Sequence, residues 1–184
     1  MLDIMIDLET MGTGPNAAII AIGAVEFDIE KNKLGERFYR VVDLTSSARQ
    51  GGVMDASTVL WWMKQDESAR SQFEQEGTPI GGALCGFVGW LYDNGRTAET
   101  LRMWGNGAGF DNVILSTAYE RHSEGCASAP WAFYNNRCYR TMKAMFPQVA
   151  LPERKGVKHN ALDDAVFQAE HLLLIMQHIK AMEK

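Results

Sequence analysis

The chain opens on "MLDIMIDLE", in which apolar and acidic positions alternate. Strand side chains alternate between faces, so Ile4, Ile6 and Leu8 share one face and Met5, Asp7 and Glu9 the other. A loop marked by glycine and proline, "TMGTGPN", follows. The apolar run "AAIIAIGAVEFD" at 17–28 predicts a second, long strand, and "GERFYRVVD" at 35–43 a third after a turn at Asn32. Short connections between the three predict an antiparallel meander. Helical spacing then takes over. Ser57 is placed to cap "TVLWWMKQ", and "ESARSQFEQ" continues helically to a break at Gly77-Thr78-Pro79. Residues 80–94 predict an apolar helix ending at Asn94-Gly95. "TLRMWGN" at 100–106 predicts a short strand, residues 110–122 an amphipathic helix, 123–136 a loop, and "YRTMKAMFP" a short helix stopped by Pro147. After an irregular stretch at 147–159 a final helix spans about 160–181, with Leu162, Val166, Ala169, Leu173 and Met176 on its apolar stripe. This order predicts one α/β domain over residues 1–184, a mixed sheet flanked by helices.

Two carboxylates side by side on a largely buried strand repel each other, and their desolvation costs on the order of several kcal/mol. A cation is the simplest compensation. Asp111 follows a glycine-rich turn, "WGNGAGF", at the head of one helix, and Asp163 and Asp164 stand at the head of the last. Hard divalent ions such as Mg²⁺ and Mn²⁺ prefer oxygen ligands. Four carboxylates can hold two of them about 3.5–4 Å apart, one to activate an attacking water and one to stabilise the leaving oxygen. His159 supplies an imidazole of near-neutral pKa, suited to a general base. The irregular stretch before it would let the ring swing in. Asp163 is read instead as a partner of the helix dipole, worth about 0.3–1 kcal/mol. Periodicity does not separate it from Asp164.

The formal charge of −5 provides no global basic field. Between Arg137 and Lys158, however, stand six basic residues (Arg137, Arg140, Lys143, Arg154, Lys155, Lys158) and a single acid, Glu153. That local excess, directly upstream of His159, suggests a phosphate-binding lip whose contacts are salt-sensitive and independent of sequence. Gly105, Gly107 and Gly109 are spaced GxGxG rather than GxGxxG and read as a tight turn, not a dinucleotide fingerprint. Trp61 and Trp62 are neighbours on a helix and point about 100° apart. One belongs to the core, and the other is placed to stack on a base. His122, His171 and His178 read as helix-surface residues. The three cysteines, Cys85, Cys126 and Cys138, are widely spaced with no CxxC pair, as expected of reduced thiols. Residues 1–30 lack the parts of a signal peptide, and no apolar run nears the 18 or so residues of a membrane span. A soluble, cytoplasmic protein without a membrane partner is expected.

Three blocks together resemble the DEDD exonucleases of the ribonuclease-H-like superfamily, histidine subtype. "IDLET" matches the first motif, with Asp7 and Glu9 as paired ligands. "NGAGFDNVIL" matches the second, opened by Asn106, with Asp111 as the third carboxylate. "HNALDDA" matches the pattern His-x-Ala-x-x-Asp, which makes His159 the base and Asp164 the fourth carboxylate. The tyrosine subtype would carry Tyr where Asn160 stands. The chain is similar to the short single-domain branch that includes prophage exonucleases and small bacterial exoribonucleases. The resemblance implies a five-stranded mixed sheet, an antiparallel meander plus parallel strands. It implies metal-dependent 3′–5′ hydrolysis of single-stranded DNA or RNA ends to nucleoside 5′-monophosphates, with two Mg²⁺ or Mn²⁺ ions. It places the Thr10 backbone near the 3′ end, Met11 as a wedge against the terminal base, and the Trp61-Trp62 pair beside the substrate. A homodimer is one assembly it suggests. The competing expectations are another metal-dependent phosphoesterase acting on nucleotides, and a non-catalytic nucleic-acid-binding domain of the same fold.

Overall fold

The computed structural model describes residues 1–93, 96–122 and 128–183; the expected helix stop at Asn94-Gly95 and Cys126 lie outside them. The elements are β1 (Leu2–Thr10), β2 (Ile19–Asp28), β3 (Lys33–Val41), α1 (Leu44–Arg49), α2 (Ala56–Trp62), α3 (Glu67–Arg70), α4 (Ile80–Tyr92), β4 (Leu101–Gly105), α5 (Asp111–Arg121), β5 (Asn136–Cys138), α6 (Tyr139–Met145) and α7 (Ala161–Met182). The strands form one sheet in the order β3-β2-β1-β4-β5. β1, β2 and β3 pair antiparallel, as the meander requires, while β4 and β5 run parallel to β1. The expected five-stranded mixed sheet is therefore present.

The alternation in β1 sorts its side chains as the sequence predicts. Ile4, Ile6 and Leu8 pack with Leu84, Phe87, Ile114 and Tyr119 of α4 and α5 on one face. Met5 packs with Val25, Phe27 and Trp104 against Tyr139, Ala165 and Leu172 on the other. Asp3 shares that second face but is satisfied locally, by an ion pair to Arg102 and a 2.7 Å hydrogen bond from the Trp104 indole.

Several local expectations are corrected. The edge strand β5 occupies the end of the segment expected to be loop. Three residues give too short a pattern to read, and it is the pairing with β4 that makes them a strand. α1 lies in a stretch with no predicted helix. Ser57 lies inside α2 rather than capping it, because the helix begins earlier, after Asp55. The Asp55 carboxylate instead accepts a 2.8 Å bond from the Thr13 amide and ties down the loop after β1. His171 is not a surface residue. It is buried, with one ring nitrogen 2.8 Å from the Tyr139 hydroxyl and the other 3.1 Å from the Val149 carbonyl. His122 and His178 are half-buried rather than exposed. On α7 the fully buried stripe is Ala161, Ala165, Ala169, Leu172 and Ile175, while Leu162, Val166 and Met176 are only partly covered. Small residues lead because the helix lies close against β1 and β2.

Gly23 permits that close approach. It faces Asp7 across the β1–β2 ladder, and a Cβ there would collide with the backbone of Ala161 and Leu162 at the start of α7. Backbone cannot step aside as a flexible side chain can. Gly23→Ala is expected to cost about 3 kcal/mol of stability, as overpacking does. The expected result is a lower urea midpoint together with reduced activity, because Asp164 is carried on the displaced turn. An unchanged midpoint would contradict this account.

Candidate active site

Three elements deliver four carboxylates to the C-terminal end of β1. Asp7 and Glu9 leave the strand on the same face. Asp111 is the first residue of α5, and its Oδ1 accepts a 3.1 Å bond from the Leu8 amide, between the two strand acids. Its Oδ2 accepts a 2.7 Å bond from the Asn106 amide. Gly105 lets the turn fold this tightly, since a Cβ there would run into Asn112. The glycine-rich segment is thus the tight turn the sequence suggested. Asp164 stands in the first turn of α7, whose cap is Asn160: its Oδ1 accepts from the amides of Leu162 and Asp163. One oxygen each of Glu9 and Asp164 and one ring nitrogen of His159 lie within 4.8 Å of one another.

His159 adopts φ +64, a conformation uncommon outside glycine. Its amide donates to Asp164 at 3.1 Å, and its carbonyl accepts a 2.6 Å bond from Gln72. The ring stands edge-on to Trp61, with centroids 4.9 Å apart. The histidine is therefore held over the acids rather than swung away. Asp163, four residues after His159, does another job. It accepts a 2.8 Å bond from the Val157 amide and packs over Gly156, so it pins the segment that carries His159.

The acids strain against one another. Burial first, then the charges of Asp111, Glu9 and Asp164, pushes Asp7 well above the usual carboxylate range. Burial and the charges of Asp164 and Asp111 push Glu9 up to about 9. Burial raises Asp111 to about 6, against the opposing pull of the Asn106 and Leu8 amides and of the Arg140 charge. Burial lowers His159, with Asp164 pulling the other way, so the imidazole is neutral near pH 7 and free to accept a proton. Glu9 Oε1 is buried and has no hydrogen-bond partner among the described residues. An unpartnered buried carboxylate oxygen amid like charges fits a hard cation and little else.

One neighbour of the acids was not singled out in the sequence, and one expected at the phosphate lip has another partner. Gln168 donates to Asp7 Oδ1 at 2.6 Å. It follows Asp164 by one helical turn, a spacing that puts both on one face and could have revealed it. Arg154 pairs with Asp164 and lies 4.3 Å over the Phe167 ring. The sequence suggested Arg154 for the basic lip, but it comes from irregular chain, where no periodicity points to Asp164 as its partner.

These residues line a cleft of about 600 Å³. Of the expected basic lip, Lys143, Arg154 and Lys158 reach it. Lys155 turns to Glu170 at 3.8 Å, and Arg137 donates to the carbonyls of Tyr134 and Asn136. Asn106 and Thr10 line the cleft. Trp62 borders the cleft but is core, 4 % exposed, and its indole donates to the Thr10 carbonyl at 2.9 Å. Trp61 is 42 % exposed and forms the wall beside His159. Met11 is not brought to the cleft. It packs with Ile20, Trp62 and Ala69 and lines a separate cavity with Phe73. Met11 lies one residue past the end of β1, where its amide donates to the Ala18 carbonyl at 2.9 Å, so the strand alternation that would have aimed it at the acids does not extend to it.

Residues 2–176 match the family model of the 3′–5′ exoribonuclease Rv2179c-like domain. The chain belongs to this family. The Rv2179c-like domain is described as a 3′–5′ exoribonuclease domain. An exodeoxyribonuclease of Enterobacteria phage T4 is 26 % identical over 160 residues, covering 77 % of this chain and 70 % of the phage protein. The nuclease domain of 3′hExo, a DEDDh family member solved with rAMP, superposes with TM-score 0.64 at 13 % identity, over 96 % of this chain and 92 % of that one. The zinc-bound exonuclease I of E. coli in complex with single-stranded DNA gives TM-score 0.64 at 14 % identity, over 96 % of this chain and 40 % of that one. These two likenesses establish the ribonuclease-H-like fold of this Rv2179c-like chain. The suggested homodimer gains no support from them. No helix among the described residues is long and apolar enough to cross a membrane.

Proposed function

We propose that residues 1–184 form a single metal-dependent 3′–5′ exonuclease domain that trims single-stranded nucleic acid to nucleoside 5′-monophosphates. In this reading Asp7, Glu9, Asp111 and Asp164 hold two divalent cations, Mg²⁺ or Mn²⁺, and His159 is the general base. The observation that carries it is the buried, unpartnered Glu9 Oε1 inside a cluster of acids drawn from three elements. The cations, when bound, neutralise the acids and polarise the phosphoryl group. The chain does the rest. A ring nitrogen of His159 takes the proton of the attacking water as the new P–O bond forms. The bond from phosphorus to the 3′ oxygen of the penultimate nucleotide breaks, and that oxygen takes a proton from solvent. Lys143 and Lys158 offer charge to the phosphates from the rim, and Trp61 offers a flat face to the terminal base. Asn106 and the Thr10 backbone border the same space.

The test is incubation of 5′-labelled single-stranded RNA and DNA with Mg²⁺ or Mn²⁺, beside a chelator control. Both sugars are needed, because the family is described as exoribonuclease and the T4 relative as exodeoxyribonuclease. A ladder of labelled products shortening by single nucleotides, lost in chelator, is the expected result. Cleavage of small phosphate esters alone would point to the phosphoesterase alternative. Metal-independent binding without cleavage would point to a binding domain.

A further inference from the structure

The acidic cleft continues past Phe110. On the far side of that ring an open groove of about 620 Å³ runs between the 107–109 turn and α6, and Phe110 lines both spaces. The groove wall is largely apolar or small, with Ala108, Ala144 and Met145 alongside Phe110. Its one charged lining residue is Arg140. That guanidinium is exposed and makes no hydrogen bond or close ion pair with any described residue, its charge reaching only as far as the pull on Asp111. Its neighbours in the basic stretch differ. Arg137 is bound to backbone carbonyls, Arg154 to Asp164, and Lys155 to Glu170. Gly107, at φ +150, leaves room beside the Arg140 guanidinium, with the position of a Cβ 3.7 Å from Cζ.

A flat apolar wall beside one unpaired guanidinium offers what a nucleotide needs, a surface for the base and a cation for the phosphate. A strand whose last phosphate lies among the acids must also leave the cleft somewhere. Phe110 is where the acid cluster and an unpaired cation adjoin. We infer that the groove between the 107–109 turn and α6 is a second binding site, holding the nucleotides upstream of the scissile bond, with Arg140 contacting a backbone phosphate. The inference rests on the exonuclease reading of the cleft and extends it to a substrate path. Such a site makes long strands bind better than a dinucleotide, whatever their sequence.

The experiment compares KM for a dinucleotide and for an eight-nucleotide single strand under Mg²⁺. It adds the equilibrium anisotropy of the labelled eight-nucleotide strand across a salt series in chelator. Arg140→Gln should shrink the KM advantage of the longer strand by about three- to tenfold, the value of one exposed charged contact. It should also lower the slope of log affinity against log salt by about 0.7, the loss of one phosphate contact on a single strand. Ala144→Glu, which adds a carboxylate to the exposed groove wall, should shrink the advantage further. Lys33→Gln, exposed on the opposite edge strand β3, should leave it intact. Equal losses at both lengths, or an unaltered salt slope in Arg140→Gln, would overturn the groove. A wild-type protein that hydrolyses neither length would overturn the exonuclease reading instead, and the anisotropy series would still decide whether Arg140 touches a strand.

Discussion

Asp7→Asn lowers kcat/KM for 3′-end trimming by at least about a thousandfold, the scale expected when a charge-stabilising group at the reacting phosphate is removed. The same substitution makes the protein more stable in chelator. Burial and three neighbouring carboxylates oppose the ionisation of Asp7. An amide keeps an oxygen for the 2.6 Å bond from Gln168 while discarding the charge. Opposite signs for activity and stability are the signature of a site that holds like charges together for function. His159→Ala behaves differently. Loss of a general base costs about 10²–10⁴ in kcat, and the rise of rate with pH on the acid side, where the burial-lowered imidazole deprotonates, disappears with it. Metal-induced stabilisation should survive in His159→Ala and be strongly weakened in Asp7→Asn. If His159→Ala loses that stabilisation as completely, the ring is a ligand rather than a base, as its 4.8 Å proximity to Glu9 and Asp164 oxygens would then explain.

The second large effect is on stability against pH. In chelator, the protein loses stability as pH rises from about 4 to 9. Glu9 titrates near 9 in the fold against an ordinary 4.5, and Asp111 near 6 against 3.8. Asp7 is raised as well. Between the unfolded and folded values the native state holds more protons than the unfolded one, so the stability slope against pH is negative. The stabilisation is complete below pH 4, falls through 6 as Asp111 ionises and falls again towards 9 with Glu9. The total is on the order of a few kcal/mol. Mg²⁺ or Mn²⁺ reverses this, because a cation favours the ionised acids that protons otherwise protect. At a hundredfold excess over Kd the gain is about 2.7 kcal/mol, or roughly 5–10 °C in Tm for a chain of this size. It should be large at pH 8 and small at pH 5, where protons compete. Melting curves at both pH values, in chelator and in metal, check it. A Tm in chelator that rises with pH would remove the electrostatic account of the site.

Much of this was already present in the linear pattern. Alternation in β1 separates Ile4, Ile6 and Leu8 from Met5, Asp7 and Glu9, and the two hydrophobic layers follow that division. Local composition also sufficed for the meander, the irregular 147–159 stretch and the long last helix. Patterns of this kind are local and repeat over many residues, so they survive without knowledge of what lies across the fold. The three acidic blocks were recognisable because chemistry restricts their residue types and because their order resembles that of a known family. Failures fell where a short segment takes its form from a distant partner. β5 is a strand by virtue of β4, and His171 is buried because Tyr139 and Val149 come to it. Met11 packs away from the acids because β1 ends at Thr10, one residue short of it.

By itself, then, the amino-acid order determined which strand carries Asp7 and Glu9 on one face and where along the chain the other acids and His159 stand. The tertiary structure alone decided the distances and the surroundings. It set Asp111 against the Leu8 amide, let α7 close on β2 at Gly23, divided the two tryptophans between core and cleft, and left Arg140 unpaired beside Phe110. The physical reason is range. Periodicity and residue type act through neighbours along the chain, whereas charge repulsion, desolvation and packing act through space between residues up to 161 positions apart.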